Sequence, residues 1–204
     1  MIISIAAQIA RVLGGVRVHW TGCPPDTRQR IYFANHSSHL DFLALWSALP
    51  PEARRLVLPV AGGDYWERGP LRYFVIKHVF RAALVERGRA CRRNNPLPCL
   101  TRELARGHSL VIFPEGTRGS GLAVAPFKSG LYHLAARRPD VELMPAYLGN
   151  LNCVLPKGTI LPVPLPTSVT FGPPMRLEQG ETRRKFLARA REALCSLRLQ
   201  SAAI

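Results

Sequence analysis

Short apolar runs of strand length alternate with helix-like segments along most of this 204-residue chain. Runs of three to eight apolar residues between turn signals indicate strands, and apolar positions spaced three or four residues apart indicate helices. Because strands that alternate with helices build a parallel sheet, the order predicts an α/β fold: a single domain with a mixed, mostly parallel sheet flanked by helices. The 47% hydrophobic content is enough for a substantial core.

The predicted elements can be given as ranges. Strands are expected at residues 16–20, 31–34, 56–60, 82–85, 110–113, 141–148 and 169–171. Helices are expected at residues 38–49, where Pro50-Pro51 stops the helix, and at 96–106, 129–137 and 181–199. More helix is expected within 64–80 and a proline-rich connection at 156–166. The last helix is basic and amphipathic, with an apolar side made of Phe186, Leu187, Ala190, Leu194 and Leu197.

The N-terminal segment predicts a short amphipathic helix at residues 1–16, ahead of the main domain at residues 17–204. Its apolar residues fall at helical spacing. The helix would lie either in a membrane interface or on the core of the protein, and the sequence leaves both open. No apolar span reaches the roughly 20 residues that a transmembrane helix needs. A signal peptide is not expected, because no basic residue precedes the apolar run.

The net charge of +15 indicates a polyanionic partner, either an anionic lipid surface or a nucleic acid. A solvated basic surface without a specific ligand is the alternative. The five cysteines are scattered and none forms a two-residue Cys-x-x-Cys spacing, so we expect free thiols in a reducing compartment. We also expect no metal site, since no group of His, Cys and carboxylate residues has metal-ligand spacing.

The segment Asn35-His36-Ser37-Ser38-His39-Leu40-Asp41 predicts a base and its orienting carboxylate. Within one helix His36 and Asp41 would not share a face, so His36 is expected just outside the helix, with Ser38 as N-cap and Asp41 in the first turn. Asp41 would then fix the imidazole tautomer. Asn35 would hold the turn by hydrogen bonds to nearby backbone. Two alternatives remain: a simple helix cap with His36 as a bystander, and a Ser37 or Ser38 nucleophile.

A second polar segment, Glu115-Gly116-Thr117-Arg118, follows the apolar strand that ends at Phe113-Pro114. Ligands gather at the carboxyl ends of strands in open α/β sheets. Gly116 allows close backbone approach, Thr117 offers a hydroxyl, and Arg118 can bind a phosphate through two hydrogen bonds. Glu115 is expected to orient Arg118 or a sugar-like hydroxyl, and Lys128 adds another cation. An ordinary charged turn is the alternative.

The two segments resemble the glycerolipid acyltransferase superfamily, which includes the glycerol-3-phosphate and 1-acylglycerol-3-phosphate acyltransferases. Its first motif matches Asn35, His36 and Asp41, and its third matches residues 113–118 in full. Residues 84–87 resemble the second motif with a glutamate, Glu86, in place of aspartate, and residues 143–147 resemble the fourth. The resemblance covers about residues 30–175.

The resemblance implies that His36 takes a proton from an acceptor hydroxyl that attacks an acyl thioester, with Asp41 orienting it. It implies that Arg87, Glu115, Gly116 and Arg118 bind the acceptor. The implied product is phosphatidic acid from lysophosphatidic acid, with acyl-CoA or acyl carrier protein as donor and no metal or cofactor. Other acceptors remain open: glycerol-3-phosphate, a lyso-ornithine lipid or another lysophospholipid.

Membrane contact is the expected use of the basic charge, which places the protein as a peripheral protein on the cytoplasmic membrane face, with no nucleic-acid partner. Aromatic residues interleaved with basic ones at residues 65–81 predict an interfacial patch or, alternatively, a core helix. The competing function from another class is a basic lipid- or nucleic-acid-binding module without catalysis. The His36 and Asp41 pair argues against that class, because a binding module needs no base.

Overall fold

The computed structural model of the chain describes residues 15–38, 40–62, 81–85, 95–121, 123–154 and 166–202. Most of the expected N-terminal helix, Arg87 and the aromatic-basic segment up to residue 80 lie outside the described residues. The strands are β1 (Arg17–Trp20), β2 (Arg30–Ala34), β3 (Val57–Gly62), β4 (Ala83–Val85), β5 (Ser109–Ile112), β6 (Glu142–Gly149) and β7 (Ser168–Phe171). The helices are α1 (Asp41–Ala48), α2 (Pro51–Arg54), α3 (Leu97–Ala105), α4 (Gly130–Arg137), α5 (Leu151–Val154) and α6 (Arg183–Ala202).

The strands form one sheet in the order β1-β7-β6-β2-β5-β3-β4. Strands β2 to β6 are mutually parallel, and β7 runs antiparallel to β6 while pairing in parallel with β1. The carboxyl ends of the five parallel strands therefore meet at one edge of the sheet. The predicted α/β class with a mixed, mostly parallel sheet is confirmed.

Alternating side chains of each strand divide the core between the two faces of the sheet. On β2, Ile31 and Phe33 pack on one face and Tyr32 and Ala34 on the other, and all four are fully buried. The first face is covered by α3, α4 and α6, and the second by α1, α2 and α5. Each large apolar side chain that is removed from water contributes about 1.5–3 kcal/mol. Both faces of the sheet thus stabilise the strands whose ends carry the polar segments.

The C-terminal helix α6 confirms the predicted amphipathic pattern. Its residues Phe186, Ala190, Leu194 and Leu197 are buried against the sheet, at the spacing expected of one helix face. Arginines and a lysine of its first turn are exposed. In the part of the chain that the structure describes, no helix combines the length and the apolar character needed to cross a membrane. The four cysteines among these residues carry free thiols, as predicted.

The first helix begins later than predicted, and a short helix that was not predicted, α2, follows it. The first helix was expected from residue 38 with Ser38 as N-cap, but α1 begins at Asp41, with Leu40 at the N-cap position and no side-chain cap. Ser38 instead lies in the preceding turn, where its hydroxyl accepts a hydrogen bond from the Leu40 N–H at 3.3 Å. Pro50 and Pro51 were expected only to stop a helix. They also start α2, because proline suits the first helical position.

Candidate active site

The two polar segments meet at the carboxyl edge of the parallel strands. Strands β2 and β5 are neighbours, with Phe33 opposite Ile112. His36 lies two residues beyond the end of β2 and Glu115 three residues beyond the end of β5. Parallel pairing therefore brings together two segments that are 79 positions apart in the chain.

His36 and Asp41 make the predicted contact. His36 Nδ1 lies 2.8 Å from Asp41 Oδ2, and the same oxygen accepts the backbone N–H groups of Ser37 at 2.6 Å and Ser38 at 2.9 Å. Asp41 is fully buried, and it is the first residue of α1, where the helix dipole favours negative charge. Its other oxygen, Oδ1, is buried without a hydrogen-bond partner among the described residues. The contact is present, and the roles of base and orienter remain predictions.

The imidazole of His36 has one nitrogen free for chemistry. Because Nδ1 faces a carboxylate oxygen, we assign the hydrogen to Nδ1, which leaves Nε2 as the acceptor. The ring stacks on Phe113, with 4.3 Å between ring centroids and 21° between planes. The side chain is 17% exposed. Asp41 and Phe113 thus fix the ring on two sides while it stays reachable from solvent.

Asn35 acts at longer range than the sequence suggested. It was expected to hold the turn through nearby backbone, but its side chain bonds to Leu148 of β6 instead. Asn35 Nδ2 donates to the Leu148 carbonyl at 2.9 Å, and Asn35 Oδ1 accepts the Leu148 N–H at 2.8 Å. The buried amide therefore ties the start of the histidine segment to the neighbouring strand.

Glu115 is buried, with 5% of its surface exposed, and both of its oxygens accept backbone hydrogen bonds. Oε1 accepts the N–H of His36 at 2.8 Å, and Oε2 accepts the N–H of Ala125 at 2.8 Å. The sequence predicted that Glu115 would orient Arg118 or a substrate hydroxyl. Among the described contacts its carboxylate is instead committed to the protein backbone.

The cationic residues lie around Gly116. Thr117 and Arg118 are exposed, and so is Lys128. Gly116 has φ +74°, and a Cβ built on it would lie 2.5 Å from Lys128 Nζ, which shows that the lysine side chain crosses this glycine. Neither Arg118 nor Lys128 forms an ion pair with a carboxylate within the described ranges. Within the described residues, the predicted phosphate ligands are therefore exposed cations without a carboxylate partner.

An open cavity of about 470 Å³ lies at the same edge of the sheet. Phe113, Gly116 and Lys128 line it beside mainly apolar side chains from the ends of β3, β4 and β5 and the starts of α3 and α4. Phe113 therefore contacts both the cavity and the His36 ring. Sequence reasoning missed this role of Phe113, whose only signal was its place at the end of an apolar strand.

Among the residues that the structure describes, no three His, Cys, Asp or Glu side chains are grouped closely enough to hold a metal ion. The expectation of no metal stays a prediction.

Several known proteins are similar to this chain. The 1-acyl-sn-glycerol-3-phosphate acyltransferase of Limnanthes alba is 26% identical over 174 residues, which cover 81% of this chain and 57% of that protein. The enzyme of the same name from Salmonella typhimurium is 27% identical over 129 residues, covering 60% and 47%. The alpha form from Mus musculus is 29% identical over 150 residues, covering 69% and 48%. The chain spans about half the length of these relatives.

A solved structure supports the fold. The crystal structure of the 1-acyl-sn-glycerophosphate acyltransferase PlsC from Thermotoga maritima matches with a TM-score of 0.74 at 19% identity, covering 98% of this chain and 80% of that one. The Acyltransferase family model matches residues 15–163, which include both polar segments and the strands that carry them. The chain therefore belongs to the Acyltransferase family, in agreement with the resemblance to the glycerolipid acyltransferases.

Proposed function

We propose that the protein transfers a fatty acyl group from an acyl thioester to the free hydroxyl of lysophosphatidic acid, which gives phosphatidic acid. The observation that carries the proposal is the 2.8 Å contact between His36 Nδ1 and Asp41 Oδ2, close to a mainly apolar cavity that Lys128 also lines. Relatives named 1-acyl-sn-glycerol-3-phosphate acyltransferase, which the chain covers in part, support this choice of acceptor.

His36 acts as the general base in the proposed step. Its Nε2 takes the proton of the acceptor hydroxyl while the hydroxyl oxygen attacks the thioester carbonyl carbon. The carbon–sulfur bond then breaks, the ester forms, and the thiol leaves with the proton that the imidazolium returns. Asp41 stabilises the imidazolium in between. General-base help of this kind contributes about 10²–10⁴-fold.

The acceptor is held by its phosphate. Arg118 and Lys128 supply the cations, and Arg118 matches a phosphate with two parallel hydrogen bonds. Gly116 lets the phosphate approach the backbone, and the Thr117 hydroxyl adds a donor. Arg87 takes part as the resemblance implies. A neutral acceptor would leave these cations unused, which favours a phosphorylated one.

The acyl chain occupies the apolar cavity. The surface of the lining is mainly apolar, and each methylene removed from water contributes about 0.8 kcal/mol. Phe113 forms part of the wall and stacks on His36, so an acyl chain in the cavity would hold its carbonyl end near the imidazole. The donor is acyl-CoA or acyl carrier protein.

The reaction takes place at an anionic membrane surface, on the cytoplasmic face. Lysophosphatidic acid resides in membranes, and basic residues near an anionic surface contribute about 1 kcal/mol each. The net charge of +15 suits such a surface, and the proposed lipid acceptor favours it over a nucleic-acid partner. The thioester supplies the driving force, so the proposed chemistry requires neither a metal ion nor a cofactor.

The test replaces His36 with alanine and measures transfer of a labelled acyl group to a panel of acceptors. The panel holds lysophosphatidic acid, glycerol-3-phosphate, a lyso-ornithine lipid and other lysophospholipids, each with acyl-CoA and acyl carrier protein. Mass spectrometry identifies the lipid product. We expect phosphatidic acid from the wild type and a loss of about 10²–10⁴-fold in His36→Ala.

The chain offers a matched control in a second histidine–carboxylate pair with the same spacing of five residues. His108 Nδ1 lies 3.0 Å from Glu103 Oε2, and the His108 side chain is 16% exposed. This pair precedes β5, at the opposite edge of the sheet, so His108→Ala should retain activity. Full activity of His36→Ala would contradict the mechanism, and a product other than phosphatidic acid would contradict the acceptor.

A further inference from the structure

The backbone of His36 is held at its N–H and at its carbonyl by the segment that follows β5. The His36 N–H donates to Glu115 Oε1 at 2.8 Å, and the His36 carbonyl accepts the Gly119 N–H at 2.8 Å. We call these two bonds the backbone clamp. His36 lies in a loop, where no ladder or helix hydrogen bonds hold the backbone. The backbone clamp therefore supplies the constraint that regular structure supplies elsewhere.

The backbone clamp and the ring contacts act on the same side chain. Phe113 packs against the imidazole. Glu115 and Gly119 hold the backbone of the same residue, His36. Asp41 fixes the remaining rotation by its bond to Nδ1. Backbone position and ring rotation are thus set by separate carboxylates, Glu115 for the backbone and Asp41 for the ring.

Both oxygens of the Glu115 carboxylate bind backbone N–H groups of the protein itself. A carboxylate that accepts backbone N–H groups makes charge-assisted bonds, which are about twice as strong as neutral ones. Its second oxygen holds Ala125, three residues before Lys128 in the chain. With 5% exposure and both oxygens bonded, Glu115 has little to offer an acceptor hydroxyl, and a free carboxylate there would repel a phosphate.

We propose that Glu115 is a positioning residue that places His36 through its backbone N–H and ties it to the loop that leads to Lys128. The inference rests on the proposed function, in which His36 is the base. It assigns Glu115 to the chemical step through His36, and it removes Glu115 from the set of acceptor-binding residues.

The test uses Glu115→Gln, which keeps the size of the side chain but turns one oxygen into a donor that faces a backbone N–H. We expect kcat to fall by about 100-fold, the loss that a small misplacement of a catalytic group produces. The KM for lysophosphatidic acid should stay within about threefold of wild type, because the proposed phosphate ligands Arg118 and Lys128 keep their side chains in Glu115→Gln. The matched control is Glu103→Gln, which also removes a carboxylate bonded to a histidine and should leave both constants unchanged.

A second measurement does not depend on activity. Amide hydrogen exchange of His36, followed by NMR on labelled protein, reports the backbone clamp directly. In the wild type this loop amide should be protected, and Glu115→Gln should speed its exchange by about tenfold, the factor that corresponds to one lost hydrogen bond. Thermal melts of every variant establish that the kinetics are measured on folded protein, and Glu115→Asp, which is one methylene shorter, serves if the glutamine variant does not fold.

The outcomes separate this inference from the proposed function. A tenfold rise in the acceptor KM with unchanged kcat would make Glu115 an acceptor ligand and overturn the inference. Rapid exchange of the His36 amide in the wild type would also overturn it, whatever the variants do. Full activity of His36→Ala would instead contradict the proposed function, and the exchange result for Glu115→Gln would still stand.

Discussion

The side chain of Lys128 lies across Gly116, and each position restricts the other. A Cβ on Gly116 would come within 2.5 to 2.8 Å of Nζ, Cε and Cδ of Lys128. Gly116→Ala should therefore displace the lysine and strain a backbone with φ +74°. The strain alone costs about 1–2 kcal/mol. We expect lower acyl transfer with a raised acceptor KM, measured by steady-state kinetics, and a lower unfolding midpoint in urea.

Gly180 provides the control for this prediction. It has φ +73°, and a Cβ built on it would meet nothing within 4 Å. Gly180→Ala should show the backbone strain without any change in the acceptor KM. Equal kinetic effects of the two substitutions would show that displacement of Lys128 does not matter.

Asp41→Asn tests the carboxylate that orients the imidazole. Oδ2 of Asp41 accepts three donors and Oδ1 is buried without a partner among the described residues. An amide nitrogen at either place is unfavourable, since it meets donors at the first and no partner at the second. We expect a loss of about 1–3 kcal/mol in unfolding free energy and a fall in kcat of about 100-fold or more. Circular dichroism melts and single-turnover kinetics measure the two effects, and a variant with wild-type kcat would exclude Asp41 from the mechanism.

Arg30 is fully buried at the start of β2 and holds two carboxylates. Its guanidinium makes two hydrogen bonds to Asp26, one of 2.9 Å, and a third to Glu142 at 3.4 Å. Arg30→Met should cost about 3 kcal/mol, because it leaves both carboxylates without their buried cation. Arg28 also pairs with Asp26 but is 62% exposed, so Arg28→Met should cost less than about 1 kcal/mol. Urea denaturation compares the two, and equal losses would contradict the role of burial.

The ion pair of Glu181 and Arg189 predicts a pH-dependent stability. Arg189 donates two hydrogen bonds to the Glu181 carboxylate, at 2.9 and 2.6 Å, and these bonds lower the pKa of Glu181 more than burial raises it. Since the folded-state pKa lies below the unfolded value of about 4.3, the pair stabilises the fold above that pH. The stabilisation is lost as the pH falls through the lower, folded-state pKa.

Glu181→Gln should therefore lower the unfolding free energy at pH 7 by about 1 kcal/mol, and the difference from wild type should shrink at acid pH. Asp140 also has a pKa lowered by hydrogen bonds, from Arg138, but its side chain is 59% exposed. Asp140→Asn should have a smaller effect, because water screens the pair. Denaturant titrations from pH 7 to acid pH measure both, and a Glu181→Gln loss that does not depend on pH would contradict the assignment.

The strands and the contact of His36 with Asp41 could be predicted because their causes are local. Six mainly apolar runs and one alternating segment, residues 16–20, marked the seven strands of the described sheet. A spacing of five residues across a turn brought the imidazole to the carboxylate. The same spacing also joins His108 to Glu103. Spacing therefore predicts a contact but not a function. The apolar cavity, Phe113 and the nearby cations are what distinguish His36 and Asp41 as the candidate base and its orienting carboxylate.

The contacts that the sequence did not predict depend on the order of the strands. Asn35 meets Leu148 because β6 lies beside β2, and Glu115 meets His36 because β5 lies on the other side. Neither β5 nor β6 is the next strand after β2 in the chain. No periodicity or turn signal encodes this order, so the backbone partners of Asn35 and Glu115 could be found only from the assembled sheet.

The backbone clamp has a consequence for protein engineering. The histidine segment and the glutamate segment look independent of each other in the sequence. In the structure, the backbone of the first is held by hydrogen bonds to the second. A histidine segment grafted onto another scaffold would bring its aspartate and its turn but would leave its own amide unanchored. Transfer of this site to a designed protein therefore requires two adjacent parallel strands whose carboxyl ends are level, so that the loops that follow them can meet.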